Sequence, residues 1–185
     1  MTRRDIPNLI SIARILLVAP IVWLMAREQY GQALMLFAVA GISDGLDGFL
    51  AKHYGWQSRL GSILDPLADK LLLVCTFVTL AWQGILPVWL AVLVVLRDVV
   101  IVVGGVTYHF RIQPIAMADP TYISKANTAL QIALVLAAVL DKGLISLPEG
   151  LLQALIWLTA ASTLASGIAY VLVWGRKAAE RVNGR

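Results

Sequence analysis

Apolar residues along the chain gather into six long stretches, near residues 8–26, 31–52, 61–83, 86–108, 122–140 and 150–174. Each has about the 20 residues that a helix needs to cross a hydrocarbon core of roughly 30 Å. The pattern predicts an all-α chain, a bundle of six transmembrane helices. Only the last stretch is free of charge; the others carry Arg14, then Asp44 and Asp47, then Asp65, Asp69 and Lys70, then Arg97 with Asp98, and lastly Lys125. Charge is expensive against lipid, so the polar faces of five helices are expected to meet inside the bundle or at a water-filled cavity.

Composition agrees with this reading: 59% hydrophobic and 14% charged residues, with a mean hydropathy of +0.81, describe an integral membrane protein rather than a soluble domain. Basic residues orient it, since positive loops stay cytoplasmic. With the N-terminus inside, Arg3, Arg4, Lys52, Arg59, Arg111, Lys125, Arg176, Lys177, Arg181 and Arg185 are cytoplasmic, whereas the far side holds Arg27 and Lys142. Both termini and the segment between the aspartate pairs are thus expected at the cytoplasmic face, in a bacterial inner (cell) membrane. The net charge of +4 is accounted for by anchoring to anionic headgroups, and no nucleic-acid partner is expected. The first apolar stretch lacks a small-residue cleavage site before Arg27-Glu28-Gln29 and is expected to be retained. Cys75, alone of its kind and inside an apolar run, is expected to pack. A single domain is expected over residues 1–185.

The candidate chemistry lies in four carboxylates. On a helix, side chains three and four apart share a face, so Asp44, Asp47, Gly48 and Ala51 form one stripe, and Gly61, Asp65 and Asp69 another. If these helices pack antiparallel, the four carboxylates converge beside residues with little or no side chain, which let a bulky ligand approach the backbone. Hard oxygen donors without His or Cys suit Mg²⁺ or Mn²⁺, and magnesium commonly completes its shell with substrate phosphates. Phosphate chemistry follows as the expected activity. The competing explanation, that the aspartates cap helices or pair with Lys52, Arg59, Lys70 and Arg97, accounts for one such residue more easily than for four. Asp98, beside Arg97, is read as a structural partner.

The same run resembles the signature of the CDP-alcohol phosphotransferases, also called CDP-alcohol phosphatidyltransferases, D-x2-D-G-x2-A-R-x8-G-x3-D-x3-D. Asp44, Asp47, Gly48, Ala51, Gly61, Asp65 and Asp69 match at the required spacing, and Lys52 stands where the family has Arg. The substitution keeps the charge and loses the fork geometry used for bidentate phosphate contacts. The resemblance implies a homodimeric six-helix enzyme with a cytoplasm-facing di-metal site for Mg²⁺ or Mn²⁺. It binds CDP-diacylglycerol, transfers the phosphatidyl group to an alcohol and releases CMP. On this resemblance Asp44, Asp47, Asp65 and Asp69 hold metal, Asp69 is also the catalytic base, and Gly48, Ala51, Lys52, Arg59 and Gly61 line the CDP pocket.

The acceptor turns on residues outside the signature. The opening Ile6-Pro7-Asn8-Leu9-Ile10-Ser11-Ile12-Ala13-Arg14 resembles phosphatidylglycerophosphate synthases and CMP-forming cardiolipin synthases alike. The former typically carry extra cations for the phosphate of glycerol 3-phosphate, where this chain has Gly105 and Asn127. The segment from Pro120 to Gln131 resembles the eukaryote-type cardiolipin synthases. Phosphatidylglycerol is therefore the favoured acceptor, with glycerol 3-phosphate as the alternative, and Arg97 and Lys125 are the candidates for its phosphate. Other classes, a membrane prenyltransferase or a metal-ion transporter, fit poorly, because the motif spacing differs from the first and the charges cluster toward one face rather than forming a path.

Overall fold

A computed structural model describes residues 6–54, 61–111 and 122–183 of the chain. They form six helices, α1 (Ile6–Ala26), α2 (Tyr30–Tyr54), α3 (Gly61–Trp82), α4 (Val88–Arg111), α5 (Tyr122–Gly143) and α6 (Glu149–Asn183), and the described residues contain no strand. Each helix overlays one of the six apolar stretches. Three contain segments long and apolar enough to cross a membrane: Asn8–Ala26, Tyr122–Gly143 and Gly150–Leu172. The chain is a membrane protein by this measure. The longest departure from expectation is α6, which continues to Asn183 through Arg176, Lys177 and Arg181. Helix propensity does not end where hydropathy does, and Lys, Arg, Ala and Glu are all good helix formers.

The helices group into two compact units. The first comprises α1, α2 and α3 with the last part of α5, from Val135 to Pro148. Here α1 packs against both α2 and α3, around a core of Ile21, Met25, Ala33, Ala40, Ala68, Phe77, Leu80 and Val135. The second comprises α4, the first part of α5 to Leu134, and α6, with α4 packed on α6. Its core holds Leu90, Val94, Leu134, Ile156 and Ala160. Outward faces are apolar too: Leu16, Met35, Val88 and Ile168 are all exposed, as lipid contact requires and water would penalise. Trp82, 90% exposed, closes α3, and Trp89 at the start of α4 stacks on Trp157 at 5.5 Å. Aromatic rings at helix ends fit an interfacial belt.

Two helix ends of the first unit share one device. After α1, Gln29 N–H donates to Leu24 O and Glu28 N–H to Met25 O; after α3, Ile85 N–H donates to Leu80 O and Gly84 N–H to Ala81 O. This paired pattern is a Schellman motif, whose pivot residue takes a left-handed backbone. The pivots are Glu28, with φ 60°, and Gly84, with φ 73°. Gln83 ties the two ends together by donating from Nε2 to Met25 O at 2.7 Å. At the end of α5, Gly143 lies so close to the start of α2 that an added Cβ would sit 2.8 Å from Tyr30 Cβ.

Gly143→Ala is therefore expected to force the end of α5 away from α2, at a cost of about 1–3 kcal/mol. Gly150, where an added Cβ meets nothing within 4 Å, is the control. Thermal unfolding in detergent checks both: the midpoint falls by several degrees for Gly143→Ala and stays within about a degree for Gly150→Ala.

Candidate active site

In the first unit the site is organised from α1. Asn8, Ser11 and Arg14 recur three residues apart in an otherwise apolar helix, so they lie along one side of it. Ser11 is fully buried and Arg14 is 1% exposed. Ser11 donates its hydroxyl proton to Asp65 on α3. Arg14 donates from Nη1 to Asp69 Oδ1, also on α3, at 2.6 Å, and the same nitrogen is 2.6 Å from Asp44 Oδ1 on α2. One side of α1 thus gathers three carboxylates from two helices.

The two carboxylates facing Arg14 are accessible from their other side, Asp44 with 45% and Asp69 with 47% of its side chain exposed. Among the described residues no three acidic, His or Cys side chains enclose a metal cage; the guanidinium of Arg14 stands between two of the acids. The donor set still fits a hard divalent cation: it consists of carboxylate oxygens, partly open, two of which already share one positive charge. Asp47, Gly48, Ala51 and Lys52 belong to α2 and Gly61 opens α3, but their side chains, and Arg59 altogether, lie outside the described residues.

The remaining candidates, Arg97 and Lys125, belong to the second unit. Arg97 is 5% exposed. Its Nη1 donates to Asp98 Oδ1 at 2.7 Å, and its Nη2 donates to Ser124 Oγ on α5 at 2.8 Å and to Ser166 Oγ on α6. The guanidinium also lies 5.9 Å from the centre of the Tyr170 ring. Arg97 therefore holds three helices together, and the reading of Asp98 as its structural partner agrees with this geometry. Lys125 is exposed, its Nζ 5.9 Å from the Tyr122 ring centre. Nearby, Asn127 Oδ1 accepts from Ser162 and Thr163 of α6, each at 2.8 Å. Between α4 and α6 lies a groove of about 330 Å³ lined by Leu93, Leu96, Val100, Leu164 and Ile168, with Arg97 in its wall. Such walls suit hydrocarbon rather than a charged headgroup.

The sequence pattern described as CDP-alcohol phosphatidyltransferase matches residues 4–165. The chain belongs to the CDP-alcohol phosphatidyltransferase family. Its relatives include "Cardiolipin synthase (CMP-forming)" of Rattus norvegicus, 34% identical over 97% of this chain and 64% of the relative. The protein of the same name from Homo sapiens is 37% identical over 93% and 62%. The chain is also 36% identical, over 90% of its length and 56% of the relative, to "CDP-diacylglycerol–glycerol-3-phosphate 3-phosphatidyltransferase 1, chloroplastic" of Oryza sativa subsp. japonica. The chain spans less than two thirds of the length of each of these. Members of the family depend on divalent metal.

Ser11 and Arg14 are the residues that sequence reasoning passed over. Their signal was present, as polar residues at a spacing of three in an apolar helix, but a lone Arg in such a stretch carries no address for its partners. The Arg97 network makes a separate expectation. Asp98→Ala leaves a buried guanidinium without its carboxylate and should cost about 3–5 kcal/mol, whereas Ser124→Ala removes one hydrogen bond to a charged group and should cost about 1.5–3 kcal/mol. Thermal unfolding of the two purified variants in detergent gives the order.

Proposed function

We propose that the chain is an enzyme of phospholipid synthesis, transferring a phosphatidyl group from CDP-diacylglycerol to phosphatidylglycerol to give cardiolipin and CMP. The observation that carries this reading is the convergence of Asp44 on α2 with Asp65 and Asp69 on α3 along one side of α1, in a chain of this family. Relatives named as CMP-forming cardiolipin synthases support the choice of acceptor.

A divalent cation, Mg²⁺ or Mn²⁺, held by Asp44, Asp47, Asp65 and Asp69 as one or two ions, supplies charge neutralisation at the diphosphate. In this proposal Gly48, Ala51 and Gly61 give the cytidine diphosphate room at the backbone, and Lys52 and Arg59 supply positive charge for its phosphates. Asp69 takes the proton of the acceptor hydroxyl as that oxygen bonds to the phosphorus nearer the lipid. The bond from this phosphorus to the CMP oxygen breaks, and CMP departs with the electron pair. Of the two cations assigned to the acceptor's phosphate, exposed Lys125 makes the contact in this proposal, and Arg97 holds the helices that present it. The proposal includes a homodimer of single-domain chains, each with six spans, in a bacterial inner membrane, both termini cytoplasmic, on the asymmetry of Lys and Arg.

The test uses purified protein in detergent with Mg²⁺ or Mn²⁺ and CDP-diacylglycerol, offered phosphatidylglycerol or glycerol 3-phosphate, with CMP and lipids followed by mass spectrometry. Cardiolipin from the first acceptor alone is expected, chelation of the metal should abolish it, and Lys52→Arg should remain active. Asp69→Asn should lower the rate by about a hundredfold or more; an undiminished rate removes Asp69 as the base. Phosphatidylglycerophosphate from the second acceptor would replace the acceptor assignment.

A further inference from the structure

Arg14 stands where two of the proposed metal ligands meet. Its Nη1 is 2.6 Å from Asp44 Oδ1 and 2.6 Å from Asp69 Oδ1, and only 1% of the residue is exposed. An arginine does not give up its charge in a protein, so it cannot make way for another cation by losing a proton. It has to move. A divalent ion bound by the same two oxygens would also lie against a fixed positive charge, and both effects oppose loading.

From this geometry we infer that Arg14 is a built-in competitor for the metal. It is an internal counter-cation that holds Asp44 and Asp69 together and is displaced from at least one of them when a divalent ion binds. The inference rests on the metal reading proposed above. Three observations favour exchange over permanent pairing. Asp44 and Asp69 meet Arg14 from one side, yet each has nearly half its side chain exposed, so an incoming ion can reach them without passing the guanidinium. Asp65 receives its contact from α1 as a neutral hydroxyl, that of Ser11, which leaves its charge available as the first hold on an ion. Finally, Asp44 and Asp69 come from different helices, and two carboxylates drawn to one point repel unless a cation lies between them. Arg14 is accordingly a positioning residue: it keeps the acids in register and sets how tightly metal is held.

Mn²⁺ titration followed by electron paramagnetic resonance, in which the free aqua ion gives the signal, tests this without any turnover. Wild-type protein, Arg14→Gln, Arg14→Lys and Asp65→Asn are compared in detergent. Arg14→Gln is expected to bind Mn²⁺ about tenfold tighter or more, since it removes a neighbouring charge and a rival for the same oxygens. Arg14→Lys keeps the buried charge and so should fold if Gln does not. The lysine stem is one atom shorter, so its ammonium stops short of the point where Nη1 touches both acids, and this variant should bind about threefold tighter or more. Asp65→Asn should bind more weakly than wild type. Equal or weaker Mn²⁺ binding in the folded Arg14 variants would overturn the competitor role; a purely structural Arg14 would lower the melting temperature with no gain in affinity. No Mn²⁺ binding by wild type would instead overturn the metal reading itself.

Discussion

A guanidinium that keeps its charge and has almost no exposed surface must be met by anions where it stands. In the first unit that requirement decides which faces of three helices look inward. Arg14 and Ser11 fix the rotation of α1 about its axis, so Leu9, Ile12 and Leu16 point outward. Asp44 fixes α2 against it and Asp69 fixes α3. Further along α1, Ile21, Leu24 and Met25 continue the packed side as apolar core. The polar half of the helix therefore meets the carboxylates, and the apolar half supplies the burial that keeps it in place.

The second unit meets the same constraint chiefly with neutral partners. Arg97 has a carboxylate in Asp98, but Ser124 and Ser166 take its other hydrogen bonds, and Asn127 joins α5 to α6 through Ser162 and Thr163. Where lipid replaces water there is little hydrophobic drive between helices, and small residues with interhelical hydrogen bonds take its place. α6 passes the stem of Arg97 at Gly167, where an added Cβ would lie 3.7 Å from Arg97 Cγ, an ordinary contact.

Much of this was legible along the chain, and for identifiable reasons. The six helices follow the apolar stretches, and for the three long and apolar enough to cross a membrane helix is how a backbone satisfies itself in lipid. The spacing of four between Asp65 and Asp69 gave the face that α3 turns toward α1. What was not legible is pairwise and long-range. Arg14 reads as a defect in an apolar stretch until Asp44 and Asp69, 30 and 55 positions later, come beside it. A buried cation such as Arg97 demands an anionic partner, and the sequence offers both the neighbouring Asp98 and an acceptor's phosphate without showing Ser124 and Ser166. The end of α6 was missed because hydropathy reports where lipid ends, not where helix ends.

Two things are to be seen at once: whether the acids gathered by α1 hold a divalent ion, and whether Arg14 yields to it. Anomalous diffraction from crystals soaked in Mn²⁺ addresses both halves in one map. A manganese peak is expected at about 2.0–2.2 Å from carboxylate oxygens of Asp44, Asp65 or Asp69, with Arg14 withdrawn from at least one of Asp44 and Asp69. A peak elsewhere, or a filled site with Arg14 still bridging both acids, would contradict it.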